Sequence, residues 1–237
     1  MTRLYVVVEG QTEEAFVEAL LRPHLAPRQI FARPIVVATS RASGGNKRKG
    51  GGYWRHWKAD LSKVVAEQAP SGGWVTTMFD LYGLPEDYPN LEEIARATTP
   101  ALKVALAEAA LAQAFLEMKS SWRLIPYVQC HEFEALVLAS LDGLHGVLDA
   151  PEDLQGLERL RAELGDVPPE LVNDGPGTAP SKRLKRHIPG YEKVLHGELA
   201  LLGTTLPALM TRCPHFGTWI RRLERLGVAS DDGAGTG

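Results

Sequence analysis

The run Leu4-Tyr5-Val6-Val7-Val8, halted at Glu9-Gly10 and followed at once by Gln11-Thr12-Glu13-Glu14, constrains this chain more than any other segment. Five consecutive apolar residues rich in valine cannot present one wet and one dry face, so the run reads as a strand buried on both sides, as in a parallel sheet. Beyond the turn, Phe16, Val17, Ala19, Leu20 and Leu21 fall at helical spacing. Thr12 can cap that helix, and the two glutamates suit its positive N-terminal end. Strand, tight turn and helix make the first half of a βαβ unit.

The pattern recurs. Ala32 to Ala38 is a second apolar run, Trp54 to Gln68 reads as a helix, and Trp74 to Phe79 is a third strand that ends at Asp80-Leu81-Tyr82-Gly83. Leu91 to Lys119 is rich in alanine and leucine, without proline or glycine after Pro100, and predicts one or two helices. Leu124 to Val128 is the fourth strand, and Glu132 to Ser140 a helix leaving it. Strands alternating with helices predict an α/β fold with a mostly parallel sheet flanked by helices. After Asp142 the composition changes: residues 151–190 hold six prolines among short helical stretches and no β-branched run. The expected organisation is an α/β domain over residues 1–145, a helical, loop-rich C-terminal part over 146–228 packed on it, and a small, polar, disordered tail over 229–237.

At 237 residues the chain can bury a core without disulfides or a structural metal. A net charge of −3 excludes nucleic-acid binding through bulk basicity and leaves room only for a local patch. The two cysteines, Cys130 and Cys213, and the lack of a signal-like N-terminal stretch predict a cytoplasmic setting. No apolar run reaches the roughly 18 residues that span a membrane, so no membrane association is expected.

Acidic residues stand at or just past the predicted strand ends: Glu9 after the first, Asp80 after the third, Glu132 and Glu134 after the fourth. That edge of an open α/β sheet is where ligands bind. Taken singly, each acid reads as a helix cap or a solvated residue; three at equivalent ends raise a shared site as the alternative. Converging carboxylates repel unless a proton or a divalent cation neutralises them, and hard oxygen donors suit Mg²⁺ or Mn²⁺. His131-Glu132-Phe133-Glu134 is not a zinc-protease helix, because Ala135 stands where the second histidine would be. On a helix Glu132 and Glu134 project roughly 200° apart, so one of them is expected to cap a helix or stand behind the ligands. His131 is expected to satisfy backbone at a strand end. Cys130, His131, Cys213 and His215 lack the paired spacing of a zinc site.

The segment Ser43 to Gly52 is glycine-rich and basic but lacks the Lys-Ser or Lys-Thr pair of a nucleotide-binding loop. Lys47, Arg48 and Lys49, followed by Tyr53, Trp54, Arg55, His56, Trp57 and Lys58, combine phosphate-binding charge with stacking surfaces, as a nucleic-acid strand requires. The alternative is a solvated loop with the tryptophans in the core. Lys182, Arg183, Lys185, Arg186 and His187 form a second basic cluster, either flanking the same cleft or lying on an exposed helix face.

Val8-Glu9-Gly10-Gln11-Thr12-Glu13-Glu14-Ala15-Phe16-Val17 resembles the first motif of the Toprim fold, and Phe79-Asp80-Leu81-Tyr82-Gly83 its aspartate-bearing second motif. With Pro126 to Leu136, Ala179 to Leu184 and Cys213-Pro214-His215-Phe216, these blocks resemble an uncharacterised bacterial family of Toprim-like proteins over nearly the whole chain short of the tail. The family is related to the Toprim nucleases of the overcoming-lysogenisation-defect class. The resemblance implies a Toprim-like domain over 1–145 in which Glu9, Asp80, Glu132 and Glu134 carry phosphodiester chemistry. Glu9 would be the general acid or base, with Glu9, Asp80 and Glu134 around Mg²⁺ or Mn²⁺. A glutamate among carboxylates should have the raised pKa that this role needs. Related stand-alone proteins are encoded beside ABC-type ATPases in phage-defence operons, which implies an ATPase partner. A full second motif has two aspartates one residue apart, whereas Tyr82 stands at the second position here. The expectation is therefore a Mg²⁺-dependent nuclease acting on DNA or RNA, with Lys47, Arg48, Lys49, Arg55, Lys58, Lys182 and Arg183 on the nucleic acid. The competing class is a non-catalytic nucleic-acid-binding or sensor subunit, and a third is a phosphotransferase acting on a small nucleotide.

Overall fold

A computed structural model describes residues 1–37, 53–68, 72–116, 123–172 and 177–230; Lys47, Arg48, Lys49 and the tail from residue 231 lie outside them. β1 (Thr2–Val8) pairs with β2 (Ile30–Val36) on one side and β3 (Trp74–Asp80) on the other. β3 pairs in turn with β4 (Leu124–Ile125) and, further along, with β5 (Val128–Gln129). Among the described residues every pairing is parallel, and the order is β2-β1-β3-β4. The expected fourth strand is thus interrupted, because Pro126 has no N–H to offer the ladder. Thr77 bridges the gap: its Oγ1 accepts from Tyr127 N–H and donates to Tyr127 O, each at 2.9 Å.

Successive residues of β1 enter two different cores, which is why the run is continuously apolar. Leu4, Val6 and Val8 face one core. Val7 faces the other, with Trp57, Phe79, Leu111 and Phe115. The first face is covered partly by α1 (Gln11–Phe16), which continues through a π-turn (Val17–Leu21) into α2 (Arg22–Leu25). The second is covered by α3 (Trp54–Gln68), α4 (Leu91–Arg96) and α5 (Pro100–Leu116). Leu91 to Lys119 resolves into two helices because Pro100 disfavours helical geometry at the residue before it and opens a new helix itself.

The chain then runs through α6 (Glu134–Leu138), α7 (Leu141–His145), α8 (Pro151–Leu164), α9 (Pro180–His187), α10 (Lys193–Leu202), α11 (Leu206–Arg212) and α12 (Pro214–Glu224). Pro151, Pro180, Pro207 and Pro214 sit in first turns, where the missing N–H costs nothing, so proline richness here marks many helix starts. Phe216, Trp219, Ile220 and Leu223 of α12 share the first core with Leu4, Val6 and Phe16. Phe16 meets Phe216 and Phe133 edge-on, at centroid distances of 5.8 and 6.0 Å. Trp219 Nε1 donates to Thr76 Oγ1 at 2.9 Å, fastening α12 to β3. The protein is α/β, with a parallel sheet flanked by helices and a helical C-terminal region. Among the described residues no helix is long and apolar enough to cross a membrane.

Candidate functional site

The C-terminal ends of β1 and β3 lie side by side, so Glu9 and Asp80 meet. Asp80 N–H donates to Glu9 Oε1 at 2.7 Å. The turn Leu81–Gly83 then brings the Gly83 backbone over the same carboxylate; a Cβ there would stand 2.8 Å from Glu9 Oε2 and displace that carboxylate. Glu13, in the first turn of α1, is buried beneath. Glu134 opens α6 and is only 1% exposed. Lys193 opens α10 and places Nζ 3.2 Å from each oxygen of Glu134, with a hydrogen bond to Oε2.

Four carboxylates and one ammonium therefore share this corner, and their proton affinities reflect it. Burial raises the Glu9 pKa to about 8; the Asp80 N–H and Lys193 pull it down, and Glu13 pushes it up. Asp80 is lifted well above the ordinary carboxylate range, first by burial and then by Glu9, Glu13 and Glu134. Glu134 is raised by burial, with Lys193 acting against it. Burial works against the charge of Lys193, but Glu134, Asp80 and Glu13 outweigh it and hold the pKa above the usual lysine value. The cluster is thus a proton reservoir with a fixed positive charge at one side. It can hold a proton on Glu9 near neutral pH or exchange that proton for another cation.

His131 explains why the two glutamates beyond β5 part company. Its φ of +64° puts it in the left-handed region, turning the chain sharply ahead of α6. Glu132 then points away and its Oε2 accepts from Ser181 N–H at 3.0 Å, capping α9, while Glu134 turns in toward Lys193. His131 Nε2 lies 2.9 Å from Glu170 O, which can only accept, so Nε2 carries the proton and Nδ1 accepts from Tyr82 Oη at 3.0 Å. Burial lowers the His131 pKa and pushes the Tyr82 hydroxyl up to about 12. Beside the acidic corner, Tyr82 is thus a neutral hydroxyl engaged with the imidazole of His131.

A family profile describing a domain of unknown function (DUF4276) matches residues 8–224. The chain belongs to the DUF4276 family. The match runs from the end of β1 to the end of α12 and so contains every residue of the acidic corner. No curated protein and no solved structure matches the chain.

Among the described residues of this DUF4276 chain, no three or more His, Cys, Asp and Glu are arranged as a formed metal site. The donor set nevertheless suits Mg²⁺ or Mn²⁺ in kind, being all carboxylate oxygen, and Glu134 Oε1 is buried without a hydrogen-bond partner. Tyr191 Oη, close enough to Glu134 and Glu132 to feel their charge, is a second buried polar atom without one.

The expected nucleic-acid contacts separate. Lys47, Arg48 and Lys49 lie outside the described residues. Arg55 on α3 is exposed, its guanidinium carbon 4.4 Å from the centre of the Tyr53 ring, while Trp57 is in the core. Lys58 follows on the same helix, half-buried. Lys182 is exposed on α9, whereas Arg183 is buried, donates to Thr178 O at 2.9 Å and pairs with Glu163. Arg186 and His187 converge on Glu163 as well. Sequence reasoning missed Glu13, Gly83, Tyr191 and Lys193. Glu13 had a local signal, lying one helical turn after Glu9; Lys193 had none, since only the fold brings α10 to the strand ends.

Proposed function

We propose that this DUF4276 chain is a Toprim-like enzyme that cleaves phosphodiester bonds of DNA or RNA with Mg²⁺ or Mn²⁺. The observation that supports this reading is the meeting of Glu9, Asp80 and Glu134 at the C-terminal edge of the parallel sheet, where burial disfavours their charged forms and Lys193 alone does not offset it. Asp80, Glu9 and Glu134 would hold the cation, which supplies neutralisation of phosphate charge and a more acidic water. Glu9, at the edge of the cluster, is placed to exchange a proton with the attacking group and the leaving oxygen. Lys193 stays positive and suits a phosphate oxygen presented to the cluster. An ABC-type ATPase partner and a role in phage defence follow from the Toprim resemblance. Both cysteines are buried free thiols, in keeping with a reducing cytoplasm.

A non-catalytic nucleic-acid-binding or sensor role is the second reading. It is favoured by Tyr82, whose hydroxyl serves His131 where a second acid would stand, and by the ion pair between Lys193 and Glu134. Incubating the chain with single-stranded DNA, duplex DNA and RNA in Mg²⁺ or Mn²⁺ separates the two. Wild type is expected to cleave at least one substrate, and Glu9→Gln to lose about 100-fold or more in rate with affinity kept. Full cleavage by Glu9→Gln removes Glu9 from the chemistry; binding without cleavage by wild type favours the sensor role.

A further inference from the structure

At the other end of β1 from Glu9, about 20 Å away along the strand, a cleft of about 310 Å³ is lined by Arg3, Tyr5, Phe31, Ala32 and Arg33 of the sheet and by Glu18 and Arg22 of the neighbouring helix. The register sets Arg3 beside Phe31 and Tyr5 beside Arg33. Leu4, Val6 and Ala32 point into the first core, so by alternation Arg3, Tyr5, Phe31 and Arg33 lie on the opposite face, and Glu18 and Arg22 line the cleft from the first-face side of the edge strand β2. In the register each arginine thus stands opposite an aromatic residue on the neighbouring strand. Phe31 is 44% exposed, a large apolar surface left in water on an edge strand. Arg22 is paired with Glu18, but no ion pair holds Arg3 or Arg33 among the described residues. The cleft therefore carries two positive charges without an ion-pair partner beside one exposed ring, Phe31, while Tyr5 packs against the second core.

We propose that this cleft is a binding site for single-stranded nucleic acid, with backbone phosphates on Arg3 and Arg33 and a base on Phe31. Charge alone would suit any polyanion. The alternation of guanidinium and ring is what a strand of phosphates and bases matches, because phosphates take the charge and bases take the rings. The volume accommodates one nucleotide unit, near the lower bound of ligand pockets. The site shares its class of ligand with the function proposed above and sits apart from the carboxylates.

Binding of a fluorescein-labelled 15-nucleotide oligothymidylate by the full chain, followed by anisotropy in EDTA over a series of salt concentrations, tests it. Without divalent cation no hydrolysis is read, so failure here and failure of the phosphodiester reading are separate results. Phe31→Ala is expected to weaken binding by about 5- to 100-fold. The double variant Arg3→Ala, Arg33→Ala is expected to weaken it and to flatten the salt slope by about 1.4, at ~0.7 per phosphate contact on single strands. All these side chains are surface residues, and unchanged melting curves check that the fold is kept; Phe31→Leu, which preserves apolar bulk but not the ring, repeats the test if Phe31→Ala unfolds. Wild-type affinity and salt slope in these variants overturn the proposal. Equal competition by polyglutamate, or by thymidine monophosphate at equal nucleotide concentration, overturns it as well, by assigning the cleft to bare charge or to a small ligand.

Discussion

At Glu9 the physical terms pull in opposite directions, burial and Glu13 toward the neutral acid, the Asp80 N–H and Lys193 toward the anion, and they balance at about 8 rather than at the ordinary 4.5. A folded-state pKa above the unfolded one means that the native protein binds the proton more tightly. The corresponding stability is fully present below about pH 4.5 and is lost as pH rises through about 8. Glu9→Gln keeps an oxygen for the Asp80 N–H but does not titrate. Thermal melts in EDTA between pH 5 and 9 are therefore expected to show a shallower decline for Glu9→Gln than for wild type, with Asp80 and Glu134 supplying what slope remains. Identical slopes would contradict the assignment. Gly83 is the steric counterpart: Gly83→Ala drives a Cβ against Glu9 Oε2, and a loss of about 0.5–1.5 kcal/mol in urea unfolding is expected as the carboxylate shifts off the Asp80 N–H. An unchanged midpoint would show that the turn can give way freely.

Helix ends in this protein are satisfied from far along the chain. α12 starts at Pro214 with no side-chain cap of its own. Glu170, in the turn Pro169–Leu171, fills that role, accepting from His215 N–H and Phe216 N–H at 2.9 Å each. Glu132 does the same for α9. Because α12 buries Phe216, Trp219 and Ile220 against the sheet, its first turn matters to the whole first core. Glu170→Ala is expected to cost about 2 kcal/mol, the range for a lost cap that leaves buried N–H groups unpaired. Thr205→Ala, at the exposed N-cap of α11, should cost about 1 kcal/mol or less. Chemical denaturation of the two variants side by side checks the order; a reversed ranking would show that α12 does not depend on Glu170.

Across the whole molecule, the first core joins β1 and α1 to helices as distant as α12, so the sheet has no complete cover of its own on that face. A fragment ending at residue 145 would leave Leu4, Val6, Val8 and Phe16 without Phe216, Trp219 and Leu223. At about 25 cal/mol per Å² of apolar surface, losing several large side chains from a core exceeds the usual margin of stability. The fragment is expected to be unfolded or aggregated by circular dichroism and size exclusion. A cooperative melt would show that residues 1–145 fold alone.

Local information was enough for the first three strands and for the alternation of element types, though not for the break at Pro126. The unbroken Leu4–Val8 run states burial on both faces, and the alternation of such runs with helical spacing leads to parallel pairing, because the strand pattern depends only on neighbouring residues. The same holds for Glu9 and Asp80, whose place at strand ends follows once the strands are in parallel. Which of Glu132 and Glu134 turns inward was not local: it depends on the left-handed turn at His131, which Tyr82 and the Glu170 carbonyl hold in place. Nor was Lys193, whose charge enters the cluster only because α10 packs across the first face and delivers its first residue to Glu134. Electrostatic partners are chosen by distance in space, and the sequence sets that distance only through the packing of every element between them.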